Sequence, residues 1–288
     1  MEGILLRRYG GFYYVQSGDK VWCCRLRGRF RRENDLLPGD RVGIAAVGPA
    51  EGVIETVHPR STLLERPAVA NVKQVVIVFS LSIPTPDLKL LDRLLFLSSI
   101  KDLGTVIVWN KADVACDEFQ GLPDIYRQIG YACLIASART GQGVELLREM
   151  LTGRISTFAG PSGVGKSSLL NALQPGLNLK TGDVSLKGGR GRHTTRHVEL
   201  IPLAGGGWVA DTPGFSRLDL PPVDREMVAG HFPEMEPLRG HCRFNSCLHR
   251  QEPGCAVREA MAAGRIAGHR YQHYLDFLAE VIAAERSY

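Results

Sequence analysis

The sequence predicts a multidomain α/β protein in three parts: a small N-terminal β-barrel or sandwich, a parallel sheet covered by helices, and a mostly helical C-terminal region. Three observations carry that prediction. Short alternating runs punctuated by Gly, Pro and Asp fill residues 1–66. Apolar strand-like runs alternate with helical patterns over 67–222. A Pro- and His-rich, cysteine-bearing stretch that ends in helical sequence occupies 223–288.

Composition narrows the class. A chain of 288 residues, 44% hydrophobic and 23% charged, has the make-up of a globular protein with room for two or three cores. No apolar run approaches the roughly 18 residues of a membrane span, so no membrane partner is expected. The opening MEGILLRRYGG is too short in apolar residues for a secretory signal, and a cytoplasmic monomer is the expectation. The net charge of +5 favours an anionic partner.

In the first part, GFYYVQSG, KVWCCRLRG, DRVGIAAVG and EGVIETVHP read as strands. In the second, QVVIVFSL is a strand, DLKLLDRLLFLSSI an amphipathic helix, and GTVIVWNKAD and YACLIASA are further strands. RISTFAG then leads as a strand into Gly160-Pro161-Ser162-Gly163-Val164-Gly165-Lys166-Ser167-Ser168, the G-x-x-x-x-G-K-S pattern of a phosphate-binding loop. Gly160 and Gly165 let the backbone wrap so that successive N–H groups face phosphate oxygens. Lys166 is placed for the β- and γ-phosphates, Ser167 for Mg²⁺, and the helix starting there adds its positive end.

The base is read elsewhere. Asn110, Lys111, Ala112 and Asp113 form N-K-A-D at a strand end. The Asp113 carboxylate suits the N1–H and N2 donors of guanine, which adenine lacks. Lys111 can pack along the base, Asn110 can tie this loop to the phosphate loop, and Ser137 with the Ala138 backbone offers the next base-edge contact. Downstream, WVADTPGF places Asp211 for Mg²⁺ and the Gly214 N–H for the γ-phosphate. Between these lies KGGRGRHTTRH, glycine-rich and basic, with Thr195 favoured over Thr194 as the magnesium-sensing threonine of a loop ordered by its ligand.

The order of these motifs is unusual. Base-recognition motifs precede the phosphate motifs, the reverse of the usual arrangement. One sheet can be built in either order if old termini are joined and new ones opened at the surface. A circularly permuted P-loop GTPase domain follows.

Three of the seven cysteines crowd into HCRFNSCLHRQEPGC. Cys242, Cys247, His249 and Cys255 supply three thiolates and one imidazole, a closed tetrahedral set suited to one structural Zn²⁺. His241 competes, but its neighbour Cys242 makes joint ligation awkward. Cys23, Cys24, Cys116 and Cys133 read as ordinary free thiols.

The succession N-K-A-D, G-P-S-G-V-G-K-S-S-L-L-N, G-R-H-T-T-R, D-T-P-G-F and C-R-F-N-S-C-L-H closely resembles the ribosome small-subunit-dependent GTPase A family over nearly the whole chain. The resemblance implies an N-terminal OB-fold, the permuted GTPase domain and a zinc-binding C-terminal domain. It also implies binding to the small ribosomal subunit late in its assembly, with GTP hydrolysis stimulated by that subunit. The run CRLRGRFRREN, with Arg25, Arg27, Arg29, Arg31, Arg32 and Phe30, suits rRNA phosphate contact and base stacking on an OB-fold. Arg258, Arg265, His269, Arg270 and His273 are expected to add to that footprint.

Hydrolysis needs a positioned water, and the residue after D-x-x-G that often holds it is Phe215 here. The catalytic set is therefore Lys166, Thr195 and His193 of the basic loop, unless the partner supplies the water-positioning group. Two rival readings are a nucleotide-gated rRNA-binding scaffold with negligible turnover and a P-loop ATPase.

Overall fold

The computed structural model describes residues 1–27, 36–65, 68–177, 179, 198–213 and 218–285, of which 211–213 as backbone only. Strands β1 (Glu2–Tyr9), β2 (Phe12–Ser17), β3 (Lys20–Leu26), β4 (Arg41–Ala46) and β5 (Glu51–Val57) close into a barrel in the order β1-β2-β3-β5-β4. β3 and β5 run parallel and the other pairs antiparallel. This is the five-stranded OB-fold arrangement. Leu5, Val15, Trp22, Cys24, Val42, Ile44 and Ile54 fill it. β1 and β2 turn at Gly10 and Gly11, both at positive φ (60° and 80°), as a two-residue hairpin turn of type I′ requires.

β1 escaped the sequence reading, which took its residues only as a non-signal opening. A register shift between Leu5 and Arg7 interrupts the alternation that marks a strand. Leu5 points into the barrel while Leu6 points into the core of the neighbouring sheet. Successive strand residues face opposite ways, so β1 serves two domains.

The barrel joins the sheet through a hairpin of β6 (Leu63–Glu65) and β7 (Ala68–Ala70). Gly39, at φ 94°, packs so tightly on this hairpin that a Cβ there would lie 2.0 Å from the Ala70 carbonyl oxygen. The Asn71 side chain locks the joint, donating to Gly39 O and accepting from the Ser61 N–H. On the far side, Trp208 Nε1 donates to Gln16 Oε1 (2.8 Å).

The central sheet has the order β10-β9-β8-β11-β13-β12. Its strands are β8 (Val72–Ser80), β9 (Gly104–Asn110), β10 (Ala132–Ile135), β11 (Ile155–Ala159), β12 (Leu200–Pro202) and β13 (Trp208–Pro213). All pairs are parallel except β12 with β13. β8 is buried on both faces, so its residues divide between two cores. Val75, Ile77 and Phe79 pack with α1 (Leu88–Ile100) and α2 (Leu122–Ile129). Val76 and Val78 pack with α3 (Val144–Leu151) and α4 (Lys166–Leu173). Asp87 caps α1 by accepting from the Leu90 N–H (2.9 Å).

Beyond residue 218, two 3-10 segments (Arg225–His231 and Glu236–Leu238) precede α5 (Ala256–Ala262) and α6 (Gly268–Glu285). The helical sequence expected at the end of this region is therefore two helices, parted at Gly264, which adopts φ 73°. Val228, Phe232, Met235, Val257, Tyr274 and Phe277 form this core and enclose Phe96 of α1.

An ion network lies at that junction. Arg270 of α6, 1% exposed, donates to Asp92 of α1 (2.7 Å) and to both oxygens of Glu234. His273 Nδ1 lies 2.6 Å from the other Asp92 oxygen, and Tyr126 donates to Asp92 (2.8 Å). Arg270 is thus internal, and the half-buried His273 and His269 turn inward at the Asp92 Oδ2 contact and at a buried Nε2, so the expectation that these three extend an RNA footprint is corrected. Each charge in the interior needs its partner there.

Candidate guanine-nucleotide site and metal centre

The parallel strands deliver their carboxyl ends to one edge of the sheet, where ligands of open α/β folds bind. Register shows the alignment: Ala159 of β11 pairs Ile77 of β8, Ser80 of β8 pairs Asn110 of β9, and Ile135 of β10 pairs Trp109. On the other side Phe158 pairs Pro213, bringing the D-T-P stretch beside the strand that launches the phosphate loop.

The loop itself depends on glycine. Gly160 takes φ 132°, and a Cβ there would sit 2.1 Å from Val78 O. Gly165 takes φ 97°, with a Cβ position 2.3 Å from the Asn110 amide nitrogen. Val164 anchors the loop in the core at 0% exposure, and α4 begins directly after it with Lys166 and Ser167 buried. Lys166 Nζ donates to Gly160 O (2.9 Å) and Pro161 O (2.6 Å). Burial pulls its ammonium down to about 8.

Asn110 joins the two halves of the site. Its amide donates to Val164 O (2.8 Å), and its oxygen accepts from the Ala138 N–H (3.2 Å). The Ala138 N–H expected at the base edge is therefore bonded to Asn110 here. Lys111 takes a left-handed backbone (φ 63°), and its Nζ donates to Ile83 O (2.6 Å). The Ala112 N–H donates to Ala136 O (3.0 Å), fixing the N-K-A-D turn against the end of β10.

Asp113 accepts from Ser137 Oγ on one oxygen and from Arg139 Nε (2.6 Å) on the other. These hydrogen bonds, Ser137 first, hold its carboxyl below the usual carboxylate range. An ionised, oriented carboxylate accepts from two donors on a planar ring edge. Arg139 was missed from sequence, although it directly follows the S-A pair.

Not every expected group falls within the described residues. Thr194, Thr195, His193, Gly214, Phe215, Arg29, Phe30, Arg31 and Arg32 lie outside them, and Asp211 is described only as backbone at the end of β13. The Ser162 and Ser168 positions lie in the loop and the first turn of α4.

The four C-terminal ligand candidates do converge. The ligand atoms of Cys242, Cys247, His249 and Cys255 all lie within 4.8 Å of one another. His249 Nδ1 is 3.5 Å from Cys242 Sγ and 3.4 Å from Cys255 Sγ, and the two sulfurs are 3.9 Å apart. Bond lengths of about 2.3 Å to sulfur and 2.0–2.1 Å to nitrogen give tetrahedral edges of about 3.8 and 3.6 Å. The donor set can therefore hold one metal ion. His241 is exposed and outside the group. Tyr271 and Tyr274 donate to the carbonyls of His249 and Leu248 (both 2.7 Å), tying the ligand loop to α6. Among the described residues no helix is long and apolar enough to cross a membrane.

A phosphate loop clamped to an N-K-A-D turn, on a sheet whose phosphate-loop strand comes fourth in sequence, defines a circularly permuted P-loop GTPase. The model of the RsgA GTPase family matches residues 57–221, and that of the RsgA N-terminal domain matches residues 2–54. The chain belongs to the RsgA GTPase family and is a GTP hydrolase. It is 71% identical over 289 residues, with all of both chains covered, to the small ribosomal subunit biogenesis GTPase RsgA of Moorella thermoacetica. Identity to the protein of the same name from Carboxydothermus hydrogenoformans is 47%, again over both full lengths. Crystal-structure relatives include YjeQ from Thermotoga maritima (TM-score 0.84, 37% identity, 98% of each chain). YloQ, described as a circularly permuted GTPase, matches at TM-score 0.82 and 37% identity over 98% of this chain and 95% of its own.

Proposed function

We propose that this GTPase binds the small ribosomal subunit and acts in its late maturation, with turnover stimulated by the subunit. The observation that carries the reading is the Asn110 clamp between guanine-reading and phosphate-binding loops, in a chain that matches small-subunit biogenesis GTPases over its full length. The parts are assigned as an OB barrel over 1–66 that contacts rRNA, a GTPase domain over 67–222, and a zinc-binding domain over 223–288.

In this reading residues 160–168 surround the phosphates, while Asn110 to Asp113 with Ser137 and Ala138 hold guanine. Ser167, Thr195 and Asp211 hold Mg²⁺, which when bound neutralises charge on the phosphate oxygens. Lys166 leaves its two loop carbonyls for the β- and γ-phosphates and stabilises charge there. Gly214 donates to the γ-phosphate, and His193 orients water once the subunit has placed its loop. Phe215 cannot orient water, so intrinsic turnover is slow. The Cys₃His set holds one zinc, whose role is structural. A cytoplasmic monomer fits this assignment.

Measuring GTP turnover with and without purified small subunits tests the reading. Subunits should raise the rate by orders of magnitude. Equal rates with and without them would remove the proposed partner.

A further inference from the structure

Arg93 of α1 holds the chain shortly after it leaves the sheet. Its Nη1 donates to the Leu218 carbonyl oxygen (3.1 Å) and to one oxygen of Glu280 on α6 (2.9 Å), while Nη2 donates to the other oxygen. The guanidinium carbon lies 4.8 Å from the centre of the Phe277 ring, also on α6. The side chain is 15% exposed, so its planar fork is held from three directions and is largely withdrawn from water. Leu218 is 39% exposed, and burial does little to fix it. Two residues further on, Leu220 packs on the C-terminal core.

At the other end of this stretch, Pro213 pairs with Phe158 in the sheet. Four residues, 214–217, separate these two fixed points, and Gly214 is the first of them. Those four lie outside the described residues, but both of their anchors lie within them. The bond to Leu218 is not what joins the helices. Lys89 with Asp276 and Asp92 with Arg270 already tie α1 to α6. Of the groups on this face of α1, Arg93 is the one that also grips the chain coming from β13.

We infer that Arg93 is a positioning residue for the triphosphate: by fixing Leu218 it sets the far end of the stretch from which the Gly214 N–H meets the γ-phosphate. The inference rests on the reading of Gly214 as the γ-phosphate donor. With Arg93 in place the chain between anchors is 214–217, and without it the free interval runs to residue 219. Every residue left unfixed keeps freedom that binding must then remove. Glu280 matches the charge of Arg93, so the effect runs through the chain and not through attraction for phosphate. Gly214 would touch the γ-phosphate alone. Arg93 therefore separates triphosphate from diphosphate binding, which a general support of the fold does not do.

The test uses the full-length, zinc-loaded chain with Arg93→Met, Glu280→Ala and Gly214→Pro. Each is titrated with GDP and with the β,γ-imido analogue of GTP in the presence of Mg²⁺. Arg93→Met keeps an apolar stem against Phe277 and loses the fork. Its affinity for the analogue should fall about 2- to 10-fold, the loss of one hydrogen bond, while GDP affinity stays within about 2-fold of wild type. Glu280→Ala breaks the ion pair but leaves the Leu218 bond, so its ratio of analogue to GDP affinity should be that of wild type. A wild-type ratio in Arg93→Met, whether both affinities hold or both fall, overturns the inference. An equal shift in Glu280→Ala overturns it too, because the packing of α6 would then carry the effect. Gly214→Pro, which removes the N–H, checks the reading beneath it and should shift the ratio at least as far. A wild-type ratio there beside a shifted one in Arg93→Met would sink the Gly214 assignment and leave Arg93 as the anchor.

Discussion

The side-chain amide of Asn110 donates to the main-chain carbonyl of Val164 at 2.8 Å, across 54 residues of sequence. One asparagine at the end of β9 thereby sets the distance between the N-K-A-D turn, proposed to read the base, and the loop proposed to wrap the phosphates. Replacing it with Ala leaves Val164 O and the Ala138 N–H without these partners. Each such loss inside a protein costs about 1–3 kcal/mol. Asn110→Ala should therefore weaken GDP binding by one to two decades and lower the melting temperature. Unchanged GDP affinity by titration would show the clamp to be dispensable.

Asp113 should govern base choice. In the proposed reading its carboxylate, oriented by Ser137 and Arg139, pairs with guanine donors and is left unmatched by adenine. A site built around such a pair rejects the analogue that lacks it by about 10⁴ or more. Asp113→Asn should lose GDP affinity and gain xanthosine diphosphate binding, since the 2-oxo group accepts from an amide. Failure to bind xanthosine nucleotides, with the protein folded, would place base selection in other groups.

Lys166 makes nucleotide binding depend on pH. Burial lowers its ammonium from 10.5 to about 8, and a polyphosphate beside it restores the charge. Binding above pH 8 thus takes up a proton, so GDP affinity should fall as pH rises from 8 towards 10. The folding balance has the opposite sign. Unfolded protein binds more protons between 8 and 10.5, so the cost of burying this ammonium is full below pH 8 and fades as pH rises. Calorimetric titrations at pH 8.5 in buffers of different ionisation enthalpy measure the proton directly. Zero uptake there would mean that the ammonium is not the group that responds.

Zinc should belong to the fold rather than to catalysis. Elemental analysis should find one zinc per chain. Cys247→Ala should lose it together with the helical signal of α5 and α6, because His249 and Leu248 carry the carbonyls that Tyr271 and Tyr274 bind. GDP affinity should change by no more than a few-fold. Native protein without zinc, purified free of chelator, would remove the assignment.

What the sequence made legible follows from how each feature is encoded. The phosphate loop, the N-K-A-D turn and the cysteine cluster are local strings whose spacing is itself the geometry, and the described parts of all three fold as their spacing implies. The permutation was legible because motif order is one-dimensional. β1 was not, because Leu5 and Leu6 are each buried against a different core, so both faces of the strand are apolar there and no apolar–polar alternation marks it. The Arg270–Asp92 pair was not, because 178 residues separate its members and nothing local distinguishes a buried arginine from a surface one. Arg139 stood in plain view, but an arginine after S-A gives no sign of where it will turn.

The permutation has a mechanical meaning that the sheet order alone does not convey. In a GTPase of ordinary chain order, the D-x-x-G strand continues into the rest of its own domain. Here β13 ends at Pro213 and the chain leaves the sheet for the C-terminal unit. That unit returns through Arg270 to Asp92 on α1, whose helix follows β8, the other neighbour of the phosphate-loop strand. Covalent chain and buried ion pair together form a closed circuit around the nucleotide edge. A displacement at Pro213 must be taken up between there and the first 3-10 segment, or else pull on α1. The catalytic domain is thus joined to its C-terminal partner twice over, by the covalent chain and by the whole packed face of α1, where Phe96 is enclosed and Asp92, Lys89 and Arg93 are ion-paired.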